Sequence, residues 1–304
     1  MQADREGNES SDASSLIGNL PLSAAIQTVC LCILFGANAV AVKLSLAGIG
    51  IFTTAGIRFG VASLVIFTYA RLLTKPLAIS RSQLRQLAPL GGIFFVQLSL
   101  FYLGLSKTTA SHGTLIANVL PFVVMLLAHF FIPGDQITPK KILGLILGFL
   151  GVVVLLADSL IVSGNILYGD MAVLMAIMVW GCNAVYAKRI IWDFHPIQIT
   201  LYPMMMASVG FILCGIFVDQ QSIFYIDGWI LGAMFYQTFV TASFGMVAWS
   251  SMIKKYGATN LHAFVFIMPI SGVFFGVMLL GEPLTANLLC AILFVTAGLI
   301  VVNR

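Results

Sequence analysis

The sequence predicts an all-α membrane protein of ten transmembrane helices arranged as two inverted five-helix repeats, and three observations predict it. Of 304 residues, 60% are hydrophobic and 9% are charged, whereas a water-soluble domain carries charge on about a quarter of its residues. The apolar runs are each near the length of about 20 residues that crosses a bilayer as a helix. A set of short patterns also recurs at an almost constant offset along the chain. This composition excludes a secreted enzyme, a nucleic-acid binder and a large extramembrane domain. The net charge of +4 forms no basic patch, because the lysines and arginines are scattered between apolar runs. All five cysteines, Cys30, Cys32, Cys182, Cys214 and Cys290, fall inside such runs and read as small buried hydrophobes, with neither a disulfide framework nor a metal site expected.

Residues 1–20 set Asp4, Glu6, Glu9 and Asp12 against Arg5 and offer no packable apolar face, so they read as a disordered cytoplasmic tail. No secretory signal is expected, since the first long apolar run begins at Leu22. From there the runs, broken at glycine, proline and charge clusters, predict helices at 22–43, 52–72, 87–105, 110–132, 140–157, 167–188, 196–218, 229–253, 259–280 and 285–303. Helices are required because segments of this length without polar alternation satisfy their backbone in lipid only by internal hydrogen bonds. Two junctions carry explicit stop and start chemistry, Gly134 before Thr138-Pro139 and Gly281 before Pro283 and Thr285.

Cytoplasmic loops collect Lys and Arg. With the amino terminus inside, the inner side holds Arg5, Arg71, Lys75, Arg81, Arg85, Lys140, Lys141, Lys188, Arg189, Lys254, Lys255 and Arg304, the outer side only Lys43 and Lys107, and Arg58 lies within a span. Both termini are therefore expected in the cytoplasm and the chain in the inner (plasma) membrane.

Phe35-Gly36-Ala37-Asn38-Ala39-Val40 with Lys43 returns as Trp180-Gly181-Cys182-Asn183-Ala184-Val185 with Lys188, a shift of 145. Lys107 with Ala110-Ser111 and Pro121 returns as Lys255 with Ala258-Thr259 and Pro269, a shift of 148. Gly134-Asp135 with Thr138 and Gly151 returns as Gly281-Glu282 with Thr285 and Gly298, a shift of 147. Two units follow, 22–157 and 167–304. An odd number of helices in each makes the second enter the membrane from the opposite face.

This doubled, ordered set, together with Arg58-Phe59 in the second helix and the alanine-led, proline-bearing fourth and ninth helices, resembles the EamA family of the drug/metabolite transporter superfamily. The resemblance covers both units; Asp135 departs from it where the family unit usually has Glu. It implies a secondary transporter, mostly of the kind that exports amino acids and other small metabolites, with a central cavity between the halves, the alternative being a broad drug/metabolite efflux or uptake carrier of the same fold. The expected partners are a small-molecule substrate and the lipid bilayer, with the chain a monomer and no cofactor.

No glycine-rich phosphate cradle is present, since Gly104-Leu105-Ser106-Lys107-Thr108 lacks the required glycines. Every Asp and Glu is expected in a tail, a loop or a helix end, so proton coupling is expected to be weak or absent, with His112, His129 and His262 the remaining candidates. Pro121 and Pro269 fall mid-span at matched positions. Each denies a hydrogen bond to the carbonyl four residues earlier, Ala117 and Val265, which either serves as a substrate acceptor or merely accompanies a bend. Pro203 is a third kink, without a mate.

Arg58 stands inside the second helix with no intramembrane carboxylate to pair with, a placement worth about 2.5 to 3.5 kcal/mol against insertion. Either it anchors a substrate carboxylate or it snorkels to a helix end. Asn38 and Asn183 are mates that either glue helices or touch substrate. Gln97, Tyr102, Asn118, Tyr236 and Gln237 add polar groups at mid-depth, and Trp180 and Trp249 are candidate cavity walls. The glycine pairs at spacing four, Gly56/Gly60, Gly144/Gly148, Gly228/Gly232 and Gly272/Gly276, read as close helix contacts. A membrane-embedded enzyme would need a catalytic His/Asp/Glu or Ser-His-acid grouping, and none is spaced for it.

Overall fold

The computed structural model describes residues 21–132, 138–162, 164–256, 261 and 264–302. The expectations placed on residues 1–20, Gly134, Asp135, Ala258, Thr259, His262 and Arg304 lie outside them. Among the described residues the regular structure is helical, with one isolated antiparallel bridge between Ile49 and Ile223.

The chain begins with α1 (Leu22–Gly36) and α2 (Asn38–Leu46), which the sequence predicts as one helix but which break at Ala37. α3 (Ile51–Leu72) and α4 (Arg81–Lys107) follow. α4 starts six residues earlier than expected, because Ser80 and Gln83 form a reciprocal capping box and Pro89 is carried inside the helix. The fourth predicted helix is also divided, into α5 (Ala110–Ala117) and α6 (Leu120–Phe131), at Asn118 and Val119, with Pro121 in the first turn of α6. α7 (Pro139–Val162) and α8 (Gly164–Ile190) run longer than predicted at the junction between the copies.

The second copy continues with α9 (Pro196–Phe217), an unbroken helix that buries Pro203. Its next helix is three pieces, α10 (Gly228–Phe235), a π-helical stretch at Tyr236–Gly245 and α11 (Met246–Tyr256). α12 (Ile267–Leu280) and α13 (Ala286–Val302) complete the chain. Gly281 ends α12 in the left-handed region at φ 64°, and Thr285 caps α13 by accepting from the Leu288 amide at 3.0 Å. Among the described residues eight helical segments are long and apolar enough to cross a membrane, and α12 and α13 are shorter apolar helices. This is a multi-pass membrane protein.

Close helix contacts are shared out between the copies. A Cβ on Gly36 of α1 would stand 2.6 Å from the Met268 carbonyl oxygen and press on Ser271 of α12, while one on Gly181 of α8 would stand 2.5 Å from Val123 of α6. Gly36 and Gly181 are repeat mates, and so are Val123 and Ser271 under the shift of 148. α7 and α13 cross in the same way: Gly144 approaches Gly298, and Gly151 approaches Ala291, with Ala291 the mate of Gly144 and Gly298 the mate of Gly151. Not every glycine pair behaves so. Gly60, Gly228 and Gly232 have nothing within 4 Å of an added Cβ, so these three are not helix contacts.

One end of the bundle gathers the turns at 47–50, 107–109, 218–227 and 281–285, and is called the Gly48 end below. Carboxylates of the second copy hold helix N-termini of the first there. Asp219 accepts from the Thr53 amide and hydroxyl, each at 2.8 Å, and from the Phe52 amide at 3.3 Å. Glu282 accepts from the Ala110 amide and from the amide and hydroxyl of Ser111. Both satisfy orphan N–H groups and oppose the positive end of a helix dipole. Asp219→Ala is therefore expected to lower stability by about 1 to 2 kcal/mol, read as a lower melting temperature in detergent.

Candidate functional site

Arg58 projects from the middle of α3 and is 8% exposed, so it does not snorkel to a helix end. Its Nη1 donates to the Tyr102 hydroxyl of α4 at 3.1 Å and its Nη2 to the Thr241 hydroxyl of the π stretch at 3.3 Å. The guanidinium also lies 4.9 Å from the centre of the Phe59 ring. Tyr102 in turn donates to Gln237 Oε1 at 3.2 Å, Gln237 Nε2 donates to the Ser45 hydroxyl at 2.6 Å, and Thr241 donates to Asn38 Oδ1 at 3.0 Å. Arg58, Tyr102, Gln237 and Asn38 thus belong to one network joining α2, α3 and α4 to the π stretch, across the seam between the copies. Thr241 and Ser45 complete it and were not singled out from the sequence.

A second pair mirrors part of it. Asn183 Nδ2 of α8 donates to Gln97 Oε1 of α4 at 3.0 Å. Asn183 is the mate of Asn38, and Gln97 and Thr241 lie on the matched third helices of the two copies. The two asparagines therefore each tie the opening helix of one copy to the third helix of the other.

These residues form two separate hydrogen-bonded groups, one around Arg58 and one between Asn183 and Gln97. Tyr102, Gln97 and Gln237 are almost wholly buried. Two donors inside this packing have no partner, Arg58 Nε and Gln97 Nε2, and buried unsatisfied donors of this kind are rare in native structures. The remaining candidates lie elsewhere. Asn118 turns back on its own chain, donating to the Thr114 carbonyl at 2.8 Å beside the break before Pro121. Tyr236 donates to the Leu34 carbonyl at 2.6 Å and, with Trp229, lines a cavity of about 490 Å³ between α1, α2, α10 and α12 whose walls are apolar. Trp249 meets Phe35 edge-on, with ring centres 5.9 Å apart, in a small separate cluster with Met252 and Leu261. Trp180 packs against the main core. At Pro269 the carbonyl left by the proline is not free, because Val265 accepts from the Met268 amide at 2.9 Å as the chain tightens before α12.

The expectation that acids occupy only tails, loops and helix ends fails at Asp170. α8 begins at Gly164, so Asp170 lies inside the helix and is fully buried. It accepts a hydrogen bond from the Thr108 hydroxyl, and its Oδ2 lies 2.8 Å from His112 Nδ1. No group of three or more metal-ligating side chains occurs among the described residues.

Comparison with known proteins agrees with this architecture. A solved crystal structure superposes with a TM-score of 0.68 over 92% of this chain and 97% of its own, at 17% identity, a likeness of fold alone. The uncharacterized transporter YyaM of Bacillus subtilis is 29% identical over 72% of this chain and 73% of its own length. The probable amino-acid metabolite efflux pumps of Salmonella typhimurium and Escherichia coli are each 24% identical, over 88% and 87% of this chain and 90% and 89% of theirs. The EamA-like transporter family model matches residues 22–157 and again 167–304. A family of transporters, and not of enzymes, is thereby identified, and the chain belongs to the EamA-like transporter family.

Proposed function

We propose that the protein is a secondary carrier that moves small metabolites, amino acids first among them, out of the cytoplasm by alternating exposure of a central site between two inverted five-helix halves. In this reading the chain crosses the inner membrane ten times, keeps both termini in the cytoplasm and acts as a monomer. The exchange of close contacts between copies, Gly36 on Ser271 matched by Gly181 on Val123, supports a two-fold relation between them, and an odd number of helices in each copy makes that repeat inverted. The names of the Salmonella and Escherichia relatives, probable amino-acid metabolite efflux pumps, support the substrate class.

The observation that carries the reading is Arg58, a buried guanidinium at the seam between the halves whose partners among the described residues are two hydroxyls and an aromatic ring, all neutral. A buried charge without a counter-ion is costly. A substrate carboxylate supplies that counter-ion, meeting Arg58 through its open Nε. Tyr102, Gln237, Asn38 and Asn183 orient it, and Asn118, Trp180, Tyr236, Trp249 and the prolines Pro121, Pro203 and Pro269 belong to the walls that move. Counterflow in proteoliposomes tests this. A labelled amino acid is expected to exchange against unlabelled amino acid and against its deaminated acid, with the corresponding amine at least about tenfold weaker. Equal competition by amine and amino acid would remove the carboxylate role.

A further inference from the structure

We propose that Asp170 and His112 form a proton-binding site that sets the strength of the seal between the two copies at the Gly48 end. Three second-copy carboxylates hold first-copy elements there. Asp219 and Glu282 accept mainly from backbone amides, which carry no exchangeable charge. Asp170 alone of the three meets an imidazole, and histidine is the side chain whose ordinary titration range lies between about pH 5 and 8. The pair also crosses the seam, with Asp170 on α8 and His112 in the first turn of α5. Gly104 and Gly169 let α4 and α8 close on each other beside it, a Cβ on Gly169 coming within 2.6 Å of the Thr108 amide nitrogen.

The charged groups around the pair are identifiable on each neighbouring element. Lys43 of α2 donates to the carbonyls of Leu105, at 2.8 Å, and Thr108. Glu282, after α12, holds Ala110 and Ser111. Lys107 at the end of α4 and Tyr168 on α8 are exposed. Lys43 and Glu282 thus fix the two sides of the turn that carries Thr108, while Asp170 reaches that turn from the other copy.

One proton added to this pair turns an imidazole–carboxylate hydrogen bond of net charge −1 into an imidazolium–carboxylate contact of net charge zero, which adds the attraction between two opposite charges in a buried setting. Acid on the Gly48 side therefore tightens the seal, and alkali loosens it. The inference rests on the carrier reading above only for its use in transport; the seal itself is measurable without a substrate.

Hydrogen–deuterium exchange of the protein in lipid nanodiscs tests it, at pH 5.5 and 7.5 and corrected for the intrinsic rate. Residues 104–116 and 164–172 of the wild type are expected to be about tenfold better protected at the lower pH, with no such difference in Asp170→Asn or His112→Gln. Both variants are checked for a single species and a cooperative melt; if Asp170→Asn does not fold, His112→Gln alone decides. A wild type without the pH effect, or a folded variant that keeps it, overturns the proposal. Absent counterflow of every amino acid with the pH effect intact would instead overturn the substrate reading and leave this site standing.

Discussion

Arg58→Gln is expected to cut exchange of carboxylate-bearing substrates about 100-fold, and Arg58→Lys to recover about a tenth of the wild-type rate. The first figure is that of losing one charge-assisted, buried contact of about 3 kcal/mol. The second follows because an ammonium restores charge without the planar fork that meets a carboxylate through two bonds. The glutamine keeps hydrogen-bonding capacity toward Tyr102 and Thr241 and removes a charge from the span. Insertion then becomes easier, by at most about 2.5 to 3.5 kcal/mol, so yield and melting temperature are not expected to fall. That combination separates a substrate anchor from a structural arginine, whose loss would leave transport within about threefold of wild type whenever the protein folds. Counterflow rate per milligram of monodisperse protein is the measurement.

Gly36→Val is expected to destabilise the fold by about 3 kcal/mol, lowering the detergent melting temperature by several degrees. The added Cβ would meet the Met268 carbonyl oxygen at 2.6 Å and the Gly272 amide nitrogen at 3.0 Å, both backbone atoms that cannot rotate away. The effect should recur at Gly181, although there the obstacles are the Val123 and Leu127 side chains and the loss is smaller. Gly60→Ala is the contrast. Nothing lies within 4 Å of its Cβ, and it sits inside α3, so helix propensity favours the alanine by up to about 1 kcal/mol. A Gly36→Val protein that melts with the wild type would contradict the close approach of α1 and α12.

The fold was largely legible because lipid imposes a coarse rule: each apolar run must be helical, and the repeated patterns at 35–43 and 180–188 give the duplication directly. Arg58, Asn38 and Asn183 stood out for the same reason, since a cation or an amide in an apolar run has no cheap place to go. Thr241 and Ser45 did not. Hydroxyls in spans often bond the carbonyl of the preceding turn, as Thr28 does to Ala24 and Thr114 to Ala110, so their presence carries no signal of a network. Thr241 and Ser45 make such local bonds as well as the long-range ones. Asp170 was misplaced because the start of α8 was set by hydropathy, while Gly164 and Asn165 extend the helix through residues too polar to count as a span. Its partner His112 is 58 positions away in sequence, beyond any local pattern.

The wide coil at Tyr236–Gly245 bears on how anyone should map this carrier. Its turns close at every fifth residue. Phe239 and Phe244, five apart, both face outward, while Gln237 with Ala242 and Thr238 with Ser243 both face inward. On ordinary α geometry, partners five apart would diverge by about 140°. A cysteine or tryptophan scan of this segment, if fitted to the usual 3.6 periodicity, would thus smear one lipid-facing stripe into apparent disorder and hide the side that reaches Arg58.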